Sequence, residues 1–173
     1  GVMYGILDFY KQAKANGIKP ILGCEVYVAP RSRMDKDAHL DSEYYHLILL
    51  AENKEGYHNL MKLVSQAFID GFYYKPRIDL DLLRAHHHGL IGLSACLGGQ
   101  VQSTLMEHGY DEGKQMALTY AEIMGEGNFY LELQDHGMKE QKMVNQMLIR
   151  MSRETGLPLV ATNDVHYTLE EDA

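Results

Sequence analysis

Basic charge is scarce in this sequence: 16 Lys and Arg stand against 24 Asp and Glu, a net charge of −8. A domain that grips nucleic acid unaided needs a basic face, so this balance argues against that class. It leaves room for work on a phosphate ester held by metal ions, because metal ligands are themselves carboxylates and imidazoles. Cysteine is scarce too. Cys24 and Cys96 are too few for a disulfide framework and fit a reducing, cytoplasmic setting. No stretch approaches the roughly 18 consecutive apolar residues of a membrane span, so no membrane partner is expected. The opening GVMYGILDFY lacks the basic-then-apolar layout of a signal peptide, and it lacks an initiator Met, which suggests a piece of a longer chain. With no repeat, low-complexity tract or Pro/Gly/Ser-rich linker, residues 1–173 read as one domain, long enough for one hydrophobic core.

What is present is an alternation of strands and helices. Ile6, Phe9, Tyr10 and Ala13 predict a helix over 2–16, stopped by Gly17. KPILGCEVYVA (19–29) reads as a strand, residues 31–43 as irregular, and YYHLILLA (44–51) as a second strand. Asn53 caps a predicted helix whose apolar face is Leu60, Met61, Val64, Ala67 and Phe68. GFYYKPRID (71–79) reads as a loop, followed by a short helix and the turn HHHG. LIGLSA (90–95), FYLELQ (129–134) and LPLVAT (157–162) are further strands. Helices fall near 99–108, 111–124 and 139–154, the last with Met143, Met147, Leu148 and Met151 inward. Such alternation favours an α/β fold with mainly parallel strands and helices outside.

Reactive groups in such folds gather beyond the carboxyl ends of the strands. Here the first strand carries Glu25, the second His46, the third runs out at Cys96, and the last runs out at Asp164 and His166. Each is a metal-ligand or acid–base type. Asp164 and His166 share a face if their segment stays extended; Cys24, next to Glu25, faces the opposite way into the packing layer. A Cys at a strand end near His and Asp makes a soft metal ligand.

Taken singly, each of these residues has a bland alternative as a satisfied structural side chain. His86, His87 and His88 look metal-like, yet they sit at a helix end before Gly89, where a solvated cluster complements the helix dipole. Lys75 and Arg77, beside aromatics in YYKPRID, form a small basic spot for a nucleic-acid phosphate or, equally, part of a packed loop. The joint pattern of strand ends outweighs any one residue.

The segments KPILGCEVYVAP, YYHLILLA, NKEGYHNL, GFYYKPRID, GLIGLSACLGG and LPLVATNDVHY occur in this order along the whole chain. In this they closely resemble the PHP (polymerase and histidinol phosphatase) domain of bacterial replicative DNA polymerase III alpha subunits. The resemblance implies a distorted (β/α)7 barrel with divalent metal ions (Zn2+, Mn2+ or Mg2+) at the strand carboxyl ends, and ligands at Glu25, His46, Cys96, Asp164 and His166. It implies a place in DNA replication, either as a metal-dependent 3′–5′ exonuclease or as a structural platform. The implied partners are the remaining polymerase domains of the same subunit, a separate proofreading exonuclease subunit, and DNA through the intact subunit. None of these residues would catalyse nucleotide addition. A free-standing histidinol-phosphatase-like phosphoesterase is the alternative.

The family's opening H-x-H and D-H-G motifs have no counterpart here; Gly1 resembles the Gly of D-H-G. The expectation is a partial barrel lacking the first two strands, an incomplete metal site with little activity by itself, and self-association through an unpaired edge at residues 20–28.

Overall fold

A computed structural model describes residues 1–172. In chain order the elements are α1 (Ile6–Ala15), β1 (Gly23–Val28), β2 (Tyr45–Ala51), α2 (Lys54–Ile69), β3 (Arg77–Ile78), α3 (Leu80–His86), β4 (Leu90–Leu93), α4 (Gln100–Glu107), α5 (Tyr110–Met124), β5 (Phe129–Leu133), α6 (Lys139–Thr155) and β6 (Leu159–Ala161). The strands form one sheet in the order β3-β1-β2-β4-β5-β6, which does not close on itself. β1/β3, β4/β5 and β5/β6 pair in parallel, whereas β2 is antiparallel to both β1 and β4. Most strands therefore point one way, and β2 alone runs back. This is a mixed α/β sheet of the partial-barrel kind.

The reversal of β2 matters for function. His46 lies at the amino end of its strand, but that end sits beside the carboxyl ends of β1 and β4: His46 is opposite Tyr27, and Ile48 is opposite both Glu25 and Leu93. β1, β2 and the turn after β4 thus bring Glu25, His46 and Cys96 to one rim, although β2 does so from its start.

One face of the sheet supports the core. Cys24, Val26 and Val28 of β1 and Leu47 and Leu49 of β2 pack with Leu60 and Leu63 of α2, Tyr120 and Met124 of α5, and Val144, Leu148 and Met151 of α6. Because side chains alternate along a strand, Glu25 and Tyr27 stand on the other face. The predicted helix faces are rotated slightly. α2 buries Leu63 and leaves Met61 and Phe68 partly exposed; α6 buries Gln141, Val144, Leu148 and Met151 and turns Met143 outward. α1 begins at Ile6 and buries only Ala13, so Phe9 and Tyr10 are exposed.

Two local devices hold the rim. Asn53 caps α2 by accepting the Gly56 N–H at 3.0 Å. A Cβ on Gly56 would come within 1.7 Å of the Gly89 carbonyl oxygen, so these two glycines let α2 and the entry to β4 touch backbone to backbone. The polar segment 31–43 is not loose: Arg31 grips Asp41 through two bonds of 2.9 and 2.6 Å, and Arg33 meets Asp79. The segment read as a loop at 71–79 contains β3, which pairs with Tyr27 and Val28. That pairing narrows the expected open edge over 20–28: β3 covers Tyr27 and Val28, the last two residues of that stretch; Val26 and Val28 are buried, while Ile21 is exposed.

Candidate metal centre

His46 is the hub. Its Nδ1 lies 3.0 Å from Glu25 Oε1 and 3.5 Å from Cys96 Sγ, so one ring nitrogen faces a carboxylate and a sulfur together. The β-ladder supplies Glu25 from β1; the turn after β4 supplies Cys96. The His46 backbone N–H donates to the Gly98 carbonyl at 2.9 Å. A Cβ on Gly98 would lie 3.4 Å from His46 Nδ1 and 3.6 Å from Cys96 Sγ, so glycine there keeps the approach clear. Around the ring, Tyr44 stacks at 6.0 Å and Tyr27 meets it edge-on at 5.5 Å.

The electrostatics follow. The Cys96 sulfur, and after it the Glu25 carboxylate, push the His46 imidazole up to about 10 despite its partial burial. The His46 hydrogen bond in turn holds Glu25 below the usual carboxylate range, with His166 contributing charge from nearby. Cys24 is buried on the opposite face, where burial pushes its thiol up.

Asp164 and His166 arrive by a route other than the extended one expected. β6 ends at Ala161, and Asp164 adopts φ +47, so the chain turns and the alternation argument lapses. His166 Nδ1 instead bonds to the Asp164 carbonyl at 2.7 Å. A cavity of about 500 Å3 brings the two segments together, lined by Cys96, Gln134, His136, Asp164, His166 and Tyr167 among others. Glu25, His46 and Cys96 thus form one contact group, and Asp164 and His166 face Cys96 across the cavity.

Among the described residues, no group of three His, Cys, Asp or Glu side chains is set to grip one ion as it stands. The donor chemistry nevertheless fits. Carboxylate, imidazole and thiol converge on the single His46 nitrogen Nδ1, and sulfur with imidazole favours Zn2+. Metal binding at a site of this chemistry requires deprotonated ligands.

The remaining candidates separate. Arg77 is fully buried, and four of its roughly five N–H donors go to the carbonyls of Gly71, Asp41, Arg33 and Asp35. This corrects its assignment to a phosphate: it fastens the 33–41 segment. Lys75 is exposed and lies 5.7 Å from the Tyr27 ring, on the His46 side of the sheet. His87 bonds to the Arg84 carbonyl and ends α3, in keeping with a helix-terminal cluster.

Sequence reasoning missed Glu132. This carboxylate is 5% exposed and accepts from the Ala95 backbone N–H at 2.9 Å, the Gln134 amide at 3.2 Å and the Thr162 hydroxyl. The signal was present in FYLELQ, where Glu132 and Gln134 interrupt an apolar strand two residues apart. His136 was also passed over; it links Gln141 to the Asn163 carbonyl.

Comparison with known proteins bears on this arrangement directly. The chain is 49% identical over its whole length to the DNA polymerase III subunit alpha of Treponema pallidum, 47% to that of Borreliella burgdorferi and 46% to that of Thermus aquaticus. It spans only about 15% of the length of each of these relatives. The sequence profile of the PHP domain matches residues 1–136, well over half the chain. The chain belongs to the PHP domain family.

Proposed function

We propose that this chain is the PHP domain of a bacterial DNA polymerase III alpha subunit, serving template-directed DNA synthesis as a metal-holding module. The observation that carries this reading is a 46–49% identity to alpha subunits that covers the whole chain. The same observation disfavours a free-standing phosphoesterase. The rest of the subunit is the first partner, since the matched relatives extend far beyond the region shared with this chain.

Glu25, His46, Cys96, Asp164 and His166 are the residues that would hold divalent metal. Metal at such a site supplies a water of lowered pKa and neutralises charge on a scissile phosphate. The protein's own part is to orient the ligands and take up protons. His46 would have to present Nδ1 free of a proton to become a ligand, with Tyr44 and Tyr27 packed against the ring to hold it in place. Lys75, beside Tyr27, would meet a strand phosphate. We assign the module a 3′–5′ exonuclease role; a platform for the other domains and for a separate proofreading subunit is the second reading, favoured by the open sheet.

The deciding experiment uses the intact subunit with its polymerase carboxylates disabled. Metal-dependent removal of 3′ nucleotides that disappears in Asp164→Ala is expected. No removal with Zn2+, Mn2+ or Mg2+ would overturn the exonuclease reading and leave the platform.

A further inference from the structure

The turn between β4 and α4, which carries Cys96, is tied at its far end by backbone bonds from His46 N–H to the Gly98 carbonyl and from Gly99 N–H to the Cys96 carbonyl, both 2.9 Å; its near end, at Ser94 and Ala95, lies beyond the β4 ladder. Ala95 stands at φ +65, a conformation L-residues rarely adopt. What fixes the Ala95 end of the turn is side-chain chemistry. Glu132 Oε2 accepts the Ala95 N–H at 2.9 Å; Ser94 Oγ accepts the Glu132 N–H at 2.9 Å and the Gln102 amide at 2.8 Å; and Gln102 also donates to the Ala95 carbonyl at 2.9 Å. The other carboxylate oxygen, Oε1, takes the Thr162 hydroxyl and the Gln134 amide. Thr162 leads directly into Asn163, Asp164 and His166.

We propose that Glu132 is a positioning residue for the metal centre: one buried carboxylate ties the Cys96 turn to the Thr162–His166 segment, so that thiol and Asp164/His166 meet across the same cavity. The inference rests on the metal-site reading above. Its physical ground is cost. A buried carboxylate needs strong compensation, and here every donor to it is neutral. An apolar residue of similar volume would spare that cost but leave the Ala95 N–H buried without a partner and cut β4 from β6. No neutral hydrocarbon can serve both segments. Gln can in part: its carbonyl accepts from Ala95, and its N–H2 can turn to Gln134 Oε1, which is buried without a partner.

The test is Co2+ titration of the full chain, read by the cobalt–thiolate absorption that reports Cys96, together with the alkylation rate of Cys96 in the metal-free protein. Glu132→Ala should weaken Co2+ binding by about tenfold or more, the usual scale for loss of a residue that orients ligands, and shift the Cys96 alkylation rate several-fold. Glu132→Gln should recover most of both. Thr162→Val, which cuts only the link to β6, should weaken Co2+ binding yet leave Cys96 alkylation unchanged, and it serves as the test if Glu132→Ala fails to fold. A folded Glu132→Ala, or Thr162→Val in its stead, that matches the wild type in Co2+ affinity overturns the proposal. If the wild type shows no cobalt–thiolate band, the metal reading fails instead, and alkylation alone decides whether Glu132 sets the turn: an unchanged rate in Glu132→Ala overturns it.

Discussion

His46 concentrates the chemistry of the rim in one ring. Its free-state pKa lies near 6.5, and contact with Cys96 and Glu25 pushes it up to about 10. A group whose folded pKa is raised contributes stability that is complete below its unfolded value and lost as pH climbs through the folded one. In the metal-free chain, the His46 contribution is therefore present at pH 6 and fades toward pH 10. Glu25, held low, works in the opposite sense: its share is present above its unfolded pKa and lost as acid protonates it. Nitrogen-detected NMR of the imidazoles should show His46 protonated through neutrality, with a midpoint well above 6.5 that falls in Glu25→Gln. A His46 midpoint near 6.5 would show that the three side chains do not meet as described. Metal affinity should also rise with pH over this range, since binding expels the same proton.

Among the elements, β3 is the smallest and among the most consequential. Its two residues pair with Tyr27 and Val28 at the carboxyl end of β1, and Arg77 within them sends its guanidinium into the carbonyls of the 33–41 segment. Arg77→Leu would strand those carbonyls in the interior and should cost about 3 kcal/mol or more, the range for breaking a buried hydrogen-bonded charge. Thermal melting checks this, and a variant that melts with the wild type would return Arg77 to the surface role suggested by its neighbours in YYKPRID. That segment shows where sequence reading stops. Long periodic elements such as α2, α5 and α6 were legible, because burial repeats every helical turn. A two-residue strand has no period to read, and a buried Arg looks like any other Arg until its acceptors are known. Glu25, His46 and Cys96 were legible as strand-end chemistry, but the reversal of β2 was not, because pairing direction is set by contacts distant in sequence. Asp164 and His166 were paired on parity, which assumed an extended segment, and φ +47 at Asp164 breaks it. Glu132 was missed because an acidic residue in a strand ordinarily reads as solvent-facing.

In the molecule as a whole, an acidic chain presents one rim on which β1, β2, β4 and β6 converge, and no described helix is long and apolar enough to cross a membrane. The sheet stays open, and apolar side chains such as Val2, Tyr4, Leu7, Phe9 and Ile21 are exposed. The central claim is that the rim is a metal centre built on His46. The most direct measurement is the metal content of the chain after Zn2+ loading and exhaustive dialysis, compared with His46→Ala. We predict that the wild type retains zinc in about stoichiometric amount and melts higher than its metal-free form, as binding to the folded state alone requires, while His46→Ala loses both. A wild-type chain that retains no zinc and melts identically with and without it would contradict the account.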